Sequence, residues 1–215
     1  MRVISSAHEY QDEADWDGRD VIQASYMDHW KERGRLFAES VARVIARTGA
    51  TPNTITLLGL ALNGLVAVVV GLGYLTIGGI LMLVVGLFDT LDGALARVTN
   101  RQTKFGGFLD STTDRYSEAF ILLAIVYASA DQIGVIILCF ITIVGSLMVS
   151  YARARAEGLG LRCEVGLLAR PERVVLLGLG LITTYIVPAL IVLAVFTHVT
   201  TIQRILHVYR LTGGR

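Results

Sequence analysis

DTLDGALARVTNRQTKFGGFLDSTTD, running from Asp89 to Asp114, places carboxylates at Asp89, Asp92, Asp110 and Asp114 beside long apolar stretches, where an ionisable side chain is costly. Read as helix, Asp89, Asp92, Gly93, Ala96 and Arg97 fall at i, i+3, i+4, i+7 and i+8, a single stripe. A second helix stacks Gly106, Asp110 and Asp114 in the same way, with Arg115 and Glu118 read onto other faces. Two such helices facing each other gather the four acids in one small volume, where like charges stay ionised together only with a cation between them. Oxygen donors without Cys or His favour a hard ion such as Mg²⁺, Mn²⁺ or Ca²⁺ over zinc.

The sequence around this stretch predicts an all-α membrane protein. Of 215 residues, 53% are hydrophobic and only 17% charged, against about 25% charged in an average soluble domain. The net charge of +1 hides a segregation: Thr54 to Phe88, Ala119 to Ala152 and Val174 to Gln203 contain no Lys or Arg. Each block is about twice the roughly 20 residues of one span, so three helical hairpins, and six transmembrane helices, are expected. Turns are offered by the glycines between Gly71 and Gly79, by Ser129-Ala-Asp131 and by the region before Pro188. The basic residues flank the blocks and avoid the tight turns. By the positive-inside rule, both termini and the acidic stretch then face the cytoplasm at the cell membrane. Cys139 and Cys163 suit neither a disulfide framework nor a metal site and are expected to be free thiols. No nucleic-acid partner is expected.

Residues 1–20 are acidic, lack an apolar run and read as a disordered cytosolic tail. Residues 21–50 interleave Ile22, Tyr26, Trp30, Phe37 and Val41 with Lys31, Arg35 and Arg43, the pattern of an amphipathic helix lying in the membrane interface. Residues 51–210 form the six-helix domain. At its start, Thr51 can cap a helix with Pro52 in the first position. Gly93 and Ala96 lack bulk on the acidic stripe, so a ligand or a second helix can approach the backbone closely. Arg97, one turn past the acids, offers a planar fork of donors suited to diphosphate oxygens. Arg101 and Lys104 read as contacts to lipid headgroups. His8, His29, His198 and His207 read as bystanders.

Written as a pattern, D-x2-D-G-x2-A-R-x8-G-x3-D-x3-D is satisfied without a gap at Asp89, Asp92, Gly93, Ala96, Arg97, Gly106, Asp110 and Asp114. It resembles the signature of the CDP-alcohol phosphotransferases. The resemblance narrows at Tyr151-Ala-Arg-Ala-Arg-Ala-Glu157, at Arg170-Pro-Glu-Arg173 and at Gln203-Arg204, which look like the prokaryotic phosphatidylinositol phosphate synthases of that family. It covers about residues 50 to 210. What it implies is transfer of a phosphatidyl group from CDP-diacylglycerol to myo-inositol 1-phosphate with release of CMP, in a membrane homodimer that uses two Mg²⁺ ions, or Mn²⁺ in their place. Asp89, Asp92, Asp110 and Asp114 would hold the metals, with Asp114 also the base. Asn53, Thr54, Ile55, Thr56, Gly93, Arg97 and Thr103 would contact the CDP-lipid, and Arg153, Arg173 and Arg204 the acceptor phosphate. Arg153 stands where the subfamily more usually has Lys, and Arg155 and Arg170 are weaker candidates. Glycerol 3-phosphate as acceptor and an archaetidyl product are the alternatives within the family. A divalent-cation transporter, the rival from another class, leaves Gly93, Arg97 and the arginines without a role.

Overall fold

The computed structural model describes residues 36–213 together with Gly34, so the tail at 1–20 and much of the amphipathic stretch at 21–50 lie outside the described residues. Seven helices make up the described chain: α1 (36–46), α2 (Pro52–Gly71), α3 (Leu75–Val98), α4 (Lys104–Ala128), α5 (Ile133–Gly158), α6 (Arg170–Ile182) and α7 (Ile186–Leu211). Among the described residues there is no strand. Local chemistry sets several boundaries. Thr51 accepts from the Thr54 amide with Pro52 in the first turn of α2, and Thr103 accepts from the Gly106 amide at 2.9 Å to start α4. Gly73, at φ 89°, turns the chain between α2 and α3.

Helices α2 to α7 close into a ring, in which the packed neighbours run α2–α3–α6–α7–α5–α4 and back to α2. Val70, Met82, Ile121, Leu122, Ile125, Cys139, Leu181, Leu190 and Leu193, drawn from all six helices, fill its interior. The exterior carries exposed Leu65, Leu87, Leu123, Phe140 and Ile202, an apolar outside that a lipid bilayer would cover. In such a solvent every backbone polar group must be satisfied internally, which continuous helices do. Among the described residues four helices, α2, α3, α5 and α7, are long and apolar enough to cross a membrane. α4 carries Lys104, Asp110, Asp114, Arg115 and Glu118, and α6 has only 13 residues. The fold is therefore an all-helical bundle of membrane character.

The turn expected between Gly71 and Gly79 is shorter in the structure. Only Leu72 to Tyr74 turn, and Gly78 and Gly79 lie inside α3. The reason is packing. A Cβ on Gly79 would meet the Gly178 carbonyl oxygen at 2.7 Å, so the absence of a side chain lets α3 and α6 touch backbone to backbone. The other two turns fall where Ser129-Ala-Asp131 and the residues before Pro188 predict them. α1 rests on the bundle through buried Ala38 and Ala42, which pack with Ile55, Ala94 and Leu95, while Phe37 and Val44 remain exposed.

Candidate active site

α3 and α4 deliver the acidic stretch to one end of the ring, but its carboxylates divide between two neighbouring cavities. The first, about 220 Å³, is lined by Asn53 and Thr56 of α2, by Asp92, Gly93 and Arg97 of α3, and by Thr103 and Asp110 from the start of α4. Asp92 is held in place: it is 8% exposed, Thr56 Oγ1 donates to its Oδ2 at 2.6 Å, and the Gly93 amide donates to its Oδ1. Arg97 is freer, with its Nε 4.0 Å from Glu39 of α1. Arg101, read from sequence as a headgroup contact, also lines this cleft. Thr54 and Ile55 do not line it. Thr54 shares a 2.8 Å hydrogen bond with Thr51, and Ile55 is buried against α1 and α3, because the helical repeat turns those two positions away from the face that carries Asn53 and Thr56.

The second cavity is narrow, about 20 Å³, and is lined by Asn63, Asp89, Asp114, Ser117, Glu118, Arg170 and Arg173 among others. Arg170, the first residue of α6, joins the two aspartates: its Nη2 lies 3.0 Å from Asp89 Oδ2 and its Nη1 2.8 Å from Asp114 Oδ1. Asp89 is further fixed by α2. A Cβ at Gly59 would sit 2.5 Å from Asp89 Oδ1, and Asn63 Nδ2, bonded to the Gly59 carbonyl at 3.0 Å, approaches Asp89 Oδ2 at 3.5 Å. Among the described residues no three carboxylate, His or Cys side chains stand close enough to enclose a metal.

Glu118 lies in this cavity, contrary to its reading onto another face of α4. Asp110, Asp114 and Glu118 are spaced by four residues and share one stripe. Its carboxylate forms a two-pronged pair with Arg173, Nε to Oε1 at 2.9 Å and Nη2 to Oε2 at 3.1 Å, and also accepts from Ser146 Oγ at 2.8 Å. Arg173 itself is 4% exposed. Arg204, at 5% exposed, donates to the carbonyls of Val165 and Val149. With Thr200, whose hydroxyl accepts from the amides of Leu167 and Leu168, it clamps the connection between α5 and α6. Arg153 differs from both, being half-exposed and paired with Glu157 at 2.7 Å one turn on. Arg204 nevertheless feels the charges of both Arg153 and Arg173, so the three arginines gather around one region from α5, α6 and α7. Cys139 and Cys163 are buried free thiols. His198 bonds the Ala194 carbonyl and His207 the Arg162 carbonyl, away from the acids.

Sequence reasoning missed four participants: Gly59, Asn63, Glu118 and, as more than a weak candidate, Arg170. Asn63 carried a readable signal, as the only amide in the first apolar block. Arg170 carried none, since its partners lie 81 and 56 residues away in sequence.

Comparison with known proteins places this arrangement. The chain is 36% identical over 168 residues to the archaetidylinositol phosphate synthase of Pyrococcus horikoshii, 78% of this chain and 88% of that protein. It is 35% identical over 185 residues to the phosphatidylinositol phosphate synthase of Mycobacteroides abscessus, covering 81% and 84%. Its fold superposes on the crystal structure of Mycobacterium tuberculosis phosphatidylinositol phosphate synthase with CDP-DAG bound at a TM-score of 0.76, with 31% identity over 80% of this chain and 93% of that one. The same enzyme in complex with manganese and citrate gives a TM-score of 0.75, 32% identity and coverage of 80% and 88%. The model of the CDP-alcohol phosphatidyltransferases matches residues 49–209, which span all but the last two residues of the six-helix ring and take in both cavities, and the chain belongs to that family.

Proposed function

We propose that the chain transfers the phosphatidyl-type group of a CDP-linked lipid to inositol 1-phosphate, releasing CMP. What carries this reading is the adjacency of the two cavities: one is lined by Asn53, Thr56, Gly93, Arg97 and Thr103, and the other lies towards the arginines of α6. The α3 and α4 carboxylates are shared out between them, Asp92 and Asp110 lining the first and Asp89 and Asp114 the second. Asn53, Thr56, Gly93, Arg97 and Thr103 would hold the cytidine diphosphate. Arg153, Arg173 and Arg204 would hold the acceptor phosphate, with Glu118 orienting Arg173.

The donor set fits a hard divalent cation. Asp89, Asp92, Asp110 and Asp114 offer only oxygen, and Asp110 and Asp114 of α4 lie near enough to Asp89 of α3 for the like charges to oppose one another. Asp89, Asp92, Asp110 and, in part, Asp114 would hold two such ions, Mg²⁺ or Mn²⁺, whose chemistry when bound is to polarise the diphosphate and stabilise charge on departing CMP. Asp114 would take the proton from the acceptor hydroxyl as that oxygen bonds to the lipid-side phosphorus and the bond to CMP breaks. No protein side chain becomes covalently attached.

The assay is CMP release by the detergent-purified chain with Mg²⁺, with acyl and ether CDP-lipids each tested against inositol 1-phosphate, glycerol 3-phosphate and free inositol. Release dependent on inositol 1-phosphate is the expected result. Preference for glycerol 3-phosphate would replace the acceptor, and no release with any alcohol would overturn the reading. Because Arg153 is exposed, Arg153→Gln reports on the acceptor without disturbing the core, and should raise its KM about tenfold, the loss of one charge-assisted hydrogen bond. Arg43→Gln on exposed α1 should change little.

In the same reading α4 and α6 complete six spans, both termini and the site face the cytoplasm at the cell membrane, α1 lies in the interface, and two copies associate. Charge asymmetry supports the orientation. Cys139 and Cys163 are 2% and 0% exposed, so the background to an impermeant thiol reagent is low. Cys at Ser129 should label from outside intact cells and Cys at Gln102 only after permeabilisation. The opposite pattern would invert the topology.

A further inference from the structure

We infer that Arg170 is a displaceable internal counter-ion, whose guanidinium occupies Asp89 and Asp114 until a divalent cation takes them, so that the chain itself lowers its own affinity for metal. The inference rests on the metal assignment proposed above. Three observations carry it. The guanidinium reaches one oxygen of each aspartate, at 3.0 and 2.8 Å, and so ties α3 to α4 through a cation supplied by α6. Those aspartates repel each other and would otherwise face one another uncompensated, which like charges in a partly buried site resist. Arg170 is also better able to leave than Arg173 or Arg204. Its side chain is 29% exposed, whereas Arg173 and Arg204 are 4% and 5% exposed and are tied by three and two hydrogen bonds respectively.

A cation shared by Asp89 and Asp114 would have to sit between them, where the Arg170 guanidinium now lies. The other carboxylate oxygens remain open, but a second positive charge placed there is repelled by the first. Metal binding and the Arg170 contacts are therefore alternatives. The cost of breaking the contacts is subtracted from the metal's affinity, in the way that any occupied competing state reduces apparent binding. Arg115 is the natural comparison. It is 34% exposed and its Nη1 lies 3.7 Å from Asp114 Oδ2, so it carries the same charge in the same neighbourhood but donates instead to the Ser111 carbonyl.

The test is Mn²⁺ binding, followed by loss of the free-ion electron paramagnetic resonance signal, in the full chain in detergent without lipid or acceptor. Arg170→Gln should bind Mn²⁺ about tenfold or more tightly than the parent, the scale of the charge-assisted contacts removed. Arg170→Lys, which keeps one cation but cannot fork across both aspartates, should fall between them. Arg115→Gln should stay near the parent. Equal or weaker binding in Arg170→Gln overturns the inference, and if that variant fails to fold, the same reading of Arg170→Lys decides. Tightening in Arg115→Gln as large as in Arg170→Gln also overturns it, because general charge then suffices. So does a parent and variants that bind no Mn²⁺, since no cation then competes. The readout involves no turnover, so a chain releasing no CMP could still pass this test and one releasing CMP could fail it.

Discussion

Asp114→Asn is expected to lower CMP release by about 10²- to 10⁴-fold, the usual contribution of a positioned general base, while leaving CDP-lipid binding largely intact. The asparagine keeps an oxygen where Arg170 Nη1 now meets Asp114, and the cleft that would hold the cytidine is lined by Asp92 and Asp110 but not by Asp114. Binding of the lipid, measured separately from rate, thus separates a proton-transfer role from a purely architectural one. Asp92→Ala should do the opposite, weakening lipid binding together with rate, because Asp92 anchors Thr56 within that cleft. Full activity in Asp114→Asn would remove the base from the mechanism.

The second large effect is on stability. Arg173→Met would leave the Glu118 carboxylate beside Ser146 without its cation in a site where Arg173 is 4% exposed and Glu118 14%. Removing one member of such a pair costs about 3–5 kcal/mol, whereas replacing both can be nearly neutral. Thermal unfolding in detergent should therefore show a large loss for Arg173→Met and substantial recovery in the Arg173→Met, Glu118→Gln double variant. Equal losses in both would mean that the pair is not coupled. The same geometry explains why Arg153 is the cleaner probe of acceptor binding: at Arg173 a KM change would be confounded with damage to the bundle.

The spacing of Asp89, Asp92, Asp110 and Asp114 announced two facing helices because helical periodicity acts over a few residues and survives in sequence. Both interhelical turns at Ser129 and before Pro188 were legible for the same local reason. The Gly78-Gly79 pair was ambiguous. In sequence it offers a turn, and only the approach of Gly178 from α6 shows it to be a contact point. Glu118 was readable from its four-residue step beyond Asp114. The pairings Arg170 with Asp89 and Asp114, and Arg173 with Glu118, depend on how α6 docks against α3 and α4, which no short-range pattern encodes. Arg204 shows the limit most clearly. Its position at the end of an apolar block marks it as a membrane-end cation, yet its bonds to Val149 and Val165 make it part of the clamp on the α5–α6 connection.

The 13 residues of α6 rise about 20 Å at 1.5 Å each, some 10 Å less than the hydrocarbon of a typical bilayer, about 30 Å. Its far end is level with the start of α3, where Thr76 donates to the Ile182 carbonyl. Measured from that end, Arg170 begins α6 at the same height as Asp89, 14 residues along α3 from Leu75, and Asp114, 14 residues before Ala128. In the six-span arrangement proposed above, with those far ends set at one edge of the hydrocarbon, the charges would lie about 10 Å short of the other edge. A lipid could bring its diphosphate to them by sinking sideways, with its tails still in the bilayer. A water-soluble alcohol would have to descend to the same depth from the aqueous side.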